Sequence, residues 1–328
     1  MPRQLTFGPS VLVLSLALGG MQPLLAQRGE SLPAPALEVW PVRGGIYMLV
    51  GAGGNTTVQV GDDGVLIVDT KLASVAEPLL AAIRDLSSKP IRYVINTHAH
   101  ADHVGSNEPI ARAGSTIAGG NVSGTIADAG EGATVIAHEN VLVRMSGQEP
   151  PPPFEAWPTA TFFVPQKDLF FNGEAVQIMH MPTAHTDGDS IVFFRRSDVI
   201  SAGDVFATTL YPVIRPEDGG NIQGVVAALN YIIELCVPEE KQEGGTMVIP
   251  GHGRLADEAD VVEYRDMLTI IRDRIQSMVD MGMSLRQVQA ARPTRDYDAR
   301  YGAVDGFWTT EQFVAAVYTN LMEINDGG

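Results

Sequence analysis

The sequence has a single cysteine, Cys236, among 328 residues. No intramolecular disulfide can form, and no zinc site built on several thiolates is available. Cys236 ends the run Tyr231-Ile232-Ile233-Glu234-Leu235-Cys236, which reads as an apolar helix face. A small buried core residue is expected there rather than a reactive thiol. Positive charge is also scarce. Lys and Arg number 22 against 39 Asp and Glu, a net charge of -17, and no block of Lys or Arg occurs. A surface of that sign repels phosphate backbones, which argues against a nucleic-acid partner. No repeat of solenoid period is visible. Beyond the N-terminal segment, no stretch reads as apolar enough for a transmembrane span.

What is present suffices for one large globular domain with an appendage, since 45% of the residues are hydrophobic. Residues 1–26 have the pattern of a secretory signal peptide. Arg3 supplies a short positive region, Val11-Leu12-Val13-Leu14-Ser15-Leu16-Ala17-Leu18 an apolar one, and Leu25-Ala26-Gln27 a cleavage region. The expected location is periplasmic or secreted, with no stable membrane insertion after cleavage. Residues 27–36 read as an extended linker.

From Leu37 the pattern is strand-like through Ile46–Val50 and Thr56–Val60. A hairpin turn is expected at Gly61-Asp62-Asp63-Gly64 before Val65-Leu66-Ile67-Val68-Asp69. Pro78–Leu86 has helical apolar spacing and Ile91–Asn96 is again a strand, so a layered α/β protein is expected. Residues 119–133, rich in Gly and Ala, and Pro150-Pro151-Pro152-Pro153 read as surface loops. The second, followed by Phe154 and Trp157, is either an apolar lid or a polyproline spacer. A β-rich half follows, with a helix at Ile222–Leu235 and a strand at Thr246–Pro250. Residues 257–328 read as a C-terminal helical extension. Its helices are expected near Glu258–Asp280, Leu285–Ala291 and Thr310–Glu323, the last opened by a Thr309/Gln312 capping box.

The chemistry concentrates in Thr97-His98-Ala99-His100-Ala101-Asp102-His103. In extended backbone, residues two apart project to one side, so His98 and His100 can converge on one cation. A helix starting near Asp102 would swing Asp102 and His103 towards a second. Imidazole and carboxylate donors suit zinc without thiolate. Three more candidates stand just past apolar strands, where ligands in α/β proteins collect: His185, Asp204 and His252. His138 and His180 lie inside strand-like runs and read as core or edge histidines.

The HxHxDH run, His185, Gly203-Asp204 and Gly251-His252-Gly253 together resemble the five ordered motifs of the metallo-β-lactamase superfamily, over about residues 37–256. The resemblance implies an αββα four-layer sandwich and two Zn2+ ions, with iron or manganese tolerated by Asp204. One ion would bind His98, His100 and His185. The other would bind Asp102, His103 and His252, with Asp204 bridging. Asp69, ending a strand, would orient a ligand without touching metal. Two close cations lower the pKa of a shared water, and Asp102 would orient it and shuttle its proton.

Departures from pattern bear on the substrate. One β-lactamase subclass carries Cys at the position of Asp204, and a substrate-binding Lys where this chain has Ala207. Asp204 is more like the glyoxalase, lactonase and phosphodiesterase branches, whereas the signal segment suits an enzyme meeting extracellular amides and esters. The sequence therefore predicts an exported, β-lactamase-like hydrolase of a small molecule, or a lactone or thioester hydrolase. A non-catalytic metal-binding protein should have lost a ligand, and none is lost. Tyr211 and Arg215 are weak candidates for holding a substrate carboxylate or carbonyl.

Overall fold

The computed structural model describes residues 37–116, 132–242 and 244–326. The expected signal segment and linker, and most of the Gly/Ala-rich stretch 119–133, lie outside the described residues. Four strands open the fold as an antiparallel meander: β1 (Glu38–Arg43), β2 (Ile46–Val50), β3 (Thr56–Gly61) and β4 (Gly64–Val68). Gly61 pairs with Gly64 across the expected Asp62-Asp63 turn. Helices then replace hairpins. α1 (Ala76–Leu86) leads to β5 (Ile91–Ile95), and α2 (Ala101–Val104) with α3 (Asn107–Arg112) leads to β6 (Thr134–His138). α4 (Glu139–Ser146) leads to β7 (Ala160–Phe162). β4, β5, β6 and β7 are mutually parallel, and the seven strands lie in chain order.

The second sheet begins with β8 (Gln166–Phe171), β9 (Glu174–His180), β10 (Ser190–Phe194) and β11 (Val199–Ser201), all antiparallel neighbours. α5 (Ile222–Leu235) crosses over to β12 (Met247–Ile249), parallel to β11, and β13 (Ala256–Asp257) forms the edge. After these come α6 (Glu258–Asp280), α7 (Leu285–Ala291), α8 (Asp298–Tyr301) and α9 (Thr310–Asp326).

Three apolar layers show how the elements stack. Ile46, Leu66, Val68, Ile95 and Ile136 of the first sheet meet Val176, Ile178, Val192, Phe194 and Ile249 of the second. The opposite face of the first sheet, with Val65, Ile67, Val94 and Val135, is covered by Leu79 and Ile83 of α1 and Ile110 of α3. The opposite face of the second, with Ile191, Phe193, Ile200 and Val248, is covered by α5 and α6. Helix, sheet, sheet and helix thus form the four layers of the metallo-β-lactamase fold. β4 reads as an unbroken apolar run because both its faces are covered. Each large side chain taken from water in these layers contributes about 1.5–3 kcal/mol.

The C-terminal helices extend the last layer. α6 buries Val261, Tyr264, Leu268, Ile271, Ile275 and Val279 at helical spacing, and Phe313, Val317 and Leu321 of α9 join the same cluster. From Leu37 on, the described residues therefore belong to one compact unit. By length and composition Ile222–Lys241 is apolar enough to cross a membrane, contrary to the expectation that no stretch past the N-terminal segment would be. In the fold, however, α5 spends its apolar side chains Val225, Val226, Leu229 and Ile232 in the core. Cys236 sits just past α5 rather than on it, half-buried against the same cluster. Burial pushes its thiol up to about 12, so it stays protonated.

Candidate metal centre

The strands of both sheets end at one place, and the polar loops that follow them meet there. Residues 97–99 bend after β5 instead of continuing it, so His98 and His100 do not meet through strand alternation. The bend sets their rings edge to face at 4.8 Å. His100 is the N-cap of α2, and the first turn of that helix carries Asp102 and His103, as the sequence predicted. His185 lies between β9 and β10, Asp204 follows β11, and His252 follows β12.

Two groups result, each with its potential ligand atoms within 4.8 Å of one another: His98, His100, His185 and Asp204, and Asp102, His103 and His252. Asp204 faces both. Its Oδ2 lies 3.8 Å from His98 Nε2 and 3.6 Å from His185 Nε2. Its Oδ1 lies 3.2 Å from His103 Nε2 and 3.5 Å from His252 Nε2. Asp102 Oδ2 adds contacts of 3.7 Å and 3.2 Å to the same two rings. Around a tetrahedral ion with bonds of about 2.0–2.1 Å, ligand atoms stand about 3.3–3.4 Å apart. The observed spacings of 3.2–3.8 Å bracket that figure.

His98 Nε2, His103 Nε2 and Asp204 Oδ1 are buried without a hydrogen-bond partner; the 3.2 Å approach of the last two falls outside hydrogen-bond geometry. Such an atom ordinarily costs about 1–3 kcal/mol. His98 Nε2 belongs to the first group, while His103 Nε2 and Asp204 Oδ1 face each other in the second; all three are good metal donors, which fits divalent cations held there.

The ring nitrogens that face away from the centre are held in place. His103 Nδ1 donates to Asp69 Oδ2 at 2.7 Å. Thr97 Oγ1 donates to the same Asp69 oxygen at 2.7 Å and lies 3.0 Å from His98 Nδ1. His185 Nδ1 donates to the Val213 carbonyl, and His100 Nε2 lies 3.4 Å from Asp218 Oδ2. Each partner fixes a tautomer that turns the opposite nitrogen inward.

Charge follows the same plan. Burial keeps His98 well below the usual imidazole range and lowers His185 to about 4, so both are neutral with a lone pair available. For Asp204, burial opposes ionisation, yet the neighbouring His103 and His252 hold it well below the usual carboxylate range. For His252, burial works against charge, but Asp204 and Asp102 outweigh it and raise the ring to about 9. The centre attracts positive charge, which is what a cation site requires.

Other residues had no obvious motif. Gly53-Gly54-Asn55 bridges the ligand loops: Gly54 N donates to Asp102 O at 3.0 Å, and Asn55 N donates to Gly251 O at 2.7 Å. A side chain at Gly54 would lie 2.3 Å from the His103 ring, and one at Gly251 would lie 2.0 Å from Asp204 Oδ1. Their turn-forming composition was the only signal. Lys71 is fully buried, donates to Gly54 O at 2.6 Å, and is lowered by burial to about 8 against the pull of Asp69 and Asp102.

The centre forms the floor of a cavity of about 530 Å³. Leu72, Leu210, Tyr211, Pro212, Val213 and Phe307 wall it, and Arg215 stands on one side. Tyr211 departs from expectation. Its hydroxyl lies 3.2 Å from Thr294 O and 3.1 Å from Asp298 Oδ1, so it is turned into the C-terminal extension and only the ring serves the cavity. Arg215 makes no ion pair among the described residues and lines the cavity. The Pro150–Pro153 stretch is not a lid here. Trp157 packs on a separate cluster with Val141 and Met145, and Phe154 lines a different depression. His138 and His180 stack on each other at 3.6 Å, outside the cavity.

Fold and site together define a hydrolase-type scaffold with paired His/Asp clusters. The family model of the metallo-β-lactamase superfamily matches residues 49–254, and the chain belongs to that superfamily. Among solved structures, a metallo-β-lactamase from Pontibacter korlensis is similar at 14% identity and TM-score 0.51, with 71% of this chain and 99% of that chain covered. The DIM-1 metallo-β-lactamase is similar at 15% identity and TM-score 0.53, over 72% of this chain and 98% of that one. A stereoselective inverting sec-alkylsulfatase from Pseudomonas sp. is similar at 17% identity and TM-score 0.62, covering 89% of this chain. This chain spans only 51% of that enzyme's length. No curated protein matches the chain.

Proposed function

We propose that this protein is an exported dinuclear-zinc hydrolase that opens an amide or ester bond of a small molecule. The observation that carries the reading is Asp204, whose two carboxylate oxygens face two separate groups of histidines. His98, His100 and His185 would hold one ion and Asp102, His103 and His252 the other, with Asp204 shared. The donors are nitrogen and oxygen only, which suits zinc and also accommodates iron or manganese. Bound there, the ions would supply Lewis-acid polarisation and a lowered pKa for water.

The chain's own residues do the rest. Burial opposes ionisation of Asp102, but the His252 ring, 3.2 Å from its Oδ2, and the nearby His103 keep its carboxyl below the usual range. Only partly buried, it reaches the cavity and would accept the proton of an attacking water and return it to the leaving group. Asp69 and Thr97 hold His103 and His98 in register. Arg215 offers the guanidinium for an anionic substituent.

Lactone or thioester hydrolysis is the second reading. It is favoured by Asp204 in the position where one β-lactamase subclass carries cysteine, and by Ala207 where that subclass carries lysine. The net charge of -17 argues against nucleic acid as substrate. Export rests on the pattern of residues 1–26.

The test is a panel of β-lactams, esters, lactones, thioesters and a sec-alkyl sulfate, run alongside metal analysis. Turnover is expected in at least one carbonyl class, abolished by His98→Ala or Asp102→Ala with loss of bound metal. Full activity in either variant would sink the reading. Two bound metals with no hydrolysis anywhere in the panel would instead favour a non-catalytic metal-binding protein.

A further inference from the structure

One wall of the cavity comes from outside the family core. Phe307 lies in the loop between α8 and α9, about fifty residues beyond the segment that the family model matches, yet it lines the same cavity as His100, Asp102 and His252. It is 73% exposed. What sets it apart from other exposed aromatics is its place in the cavity lining, where its ring can contact whatever occupies the cavity.

The loop is built to hold that ring in place. Its neck is closed by two hydrogen bonds: Ala303 N donates to Thr310 Oγ1 at 3.0 Å and Thr310 N donates to Ala303 O at 2.9 Å. Trp308, next to Phe307, packs on the core beneath the second sheet. The loop's base is tied to the segment that follows Asp204. Tyr211 N donates to Tyr301 O at 3.3 Å, and the Tyr211 ring stacks on Phe313 at 4.6 Å. Gly306, at φ +100 and with open space where a side chain would be, turns the chain at the tip. Neck and base are fixed while the Phe307 ring itself stands clear.

We infer that Phe307 is a specificity-determining residue, selecting substrates that carry an apolar acyl or alkyl substituent. The substituent would lie between Phe307 and the Leu72 and Leu210 walls, while its polar end reaches the metal centre and Arg215. This rests on the proposed hydrolase reading for its catalytic meaning, but the contact itself can be measured without turnover.

The experiment is calorimetric binding of straight-chain alkanoates, from butanoate to decanoate, to the protein as purified. Burying each methylene should tighten binding about three- to fourfold in the native chain. Phe307→Ala should reduce that increment to less than about twofold, and Phe307→Leu should retain most of it. An unchanged thermal midpoint shows that the variants are folded, as expected for an exposed side chain. Equal increments in the native chain and Phe307→Ala, or no dependence on chain length in the native chain, would overturn the inference. Failure of the hydrolysis panel with the increment intact would count against the proposed function alone.

Discussion

Replacing Asp69 by Asn keeps the shape of the side chain and removes its charge, at a residue that touches no proposed substrate surface. In the native chain its carboxylate accepts three hydrogen bonds: from Thr97 N at 2.8 Å, Thr97 Oγ1 at 2.7 Å and His103 Nδ1 at 2.7 Å. Asn has one accepting oxygen, and its amide nitrogen must face at least one of these donors. Hydrogen bonds to charged groups contribute about 1.5–3 kcal/mol each, and breaking one partner of a buried pair costs about 3–5 kcal/mol. The metal-free Asp69→Asn variant should therefore be less stable by about 3–5 kcal/mol in urea unfolding. Freed from Asp69, the His103 ring can rotate, and Thr97 no longer steadies His98. Metal affinity, read by competition with a chromophoric chelator, should fall about 10–100-fold. A variant within 1 kcal/mol of the native chain, binding metal within twofold, would refute the reasoning.

Tyr211→Phe should cost about 1 kcal/mol of stability, because the hydroxyl ties the segment after Asp204 to Thr294 and Asp298. Turnover of the best substrate should stay within about threefold, since the cavity keeps the ring; a hundredfold loss would return the hydroxyl to substrate binding. Burial, and then the neighbouring His180, lower His138 to about 4. Because its folded value lies below the ordinary 6.5, its contribution to stability is present above pH 6.5 and lost as pH falls through 4. Thermal midpoints of the metal-free protein should drop over that window, and drop less in His138→Phe, which preserves the stack on His180. Parallel curves would show that the pair has no such role.

The sequence made the centre legible because its ligands are local or stand directly after apolar strands. His98 to His103 span six positions, and His185, Asp204 and His252 each follow a strand that its own hydrophobic pattern reveals. The long helices α5 and α6 were legible for the same reason. What supports the site was less visible. Asp218 backs His100 from 118 residues away, and nothing in a turn of Pro216-Glu217-Asp218 announces that contact. Phe307 becomes a cavity residue only once α6 to α9 have folded back against the second sheet. Tyr211 was named for its proximity to Asp204, but the direction of a hydroxyl depends on packing against Phe313 that no local pattern encodes. Short elements such as α3 and β7 carry too few residues for periodicity to distinguish them from loops.

The central claim is that two metal ions share Asp204. Calorimetric titration of zinc into the metal-free protein, with the bound metal then counted by elemental analysis, tests it most directly. Two equivalents per chain are predicted for the native sequence, and one at most for His98→Ala. Binding of no zinc, or a stoichiometry in the native chain that never exceeds one, would contradict the account.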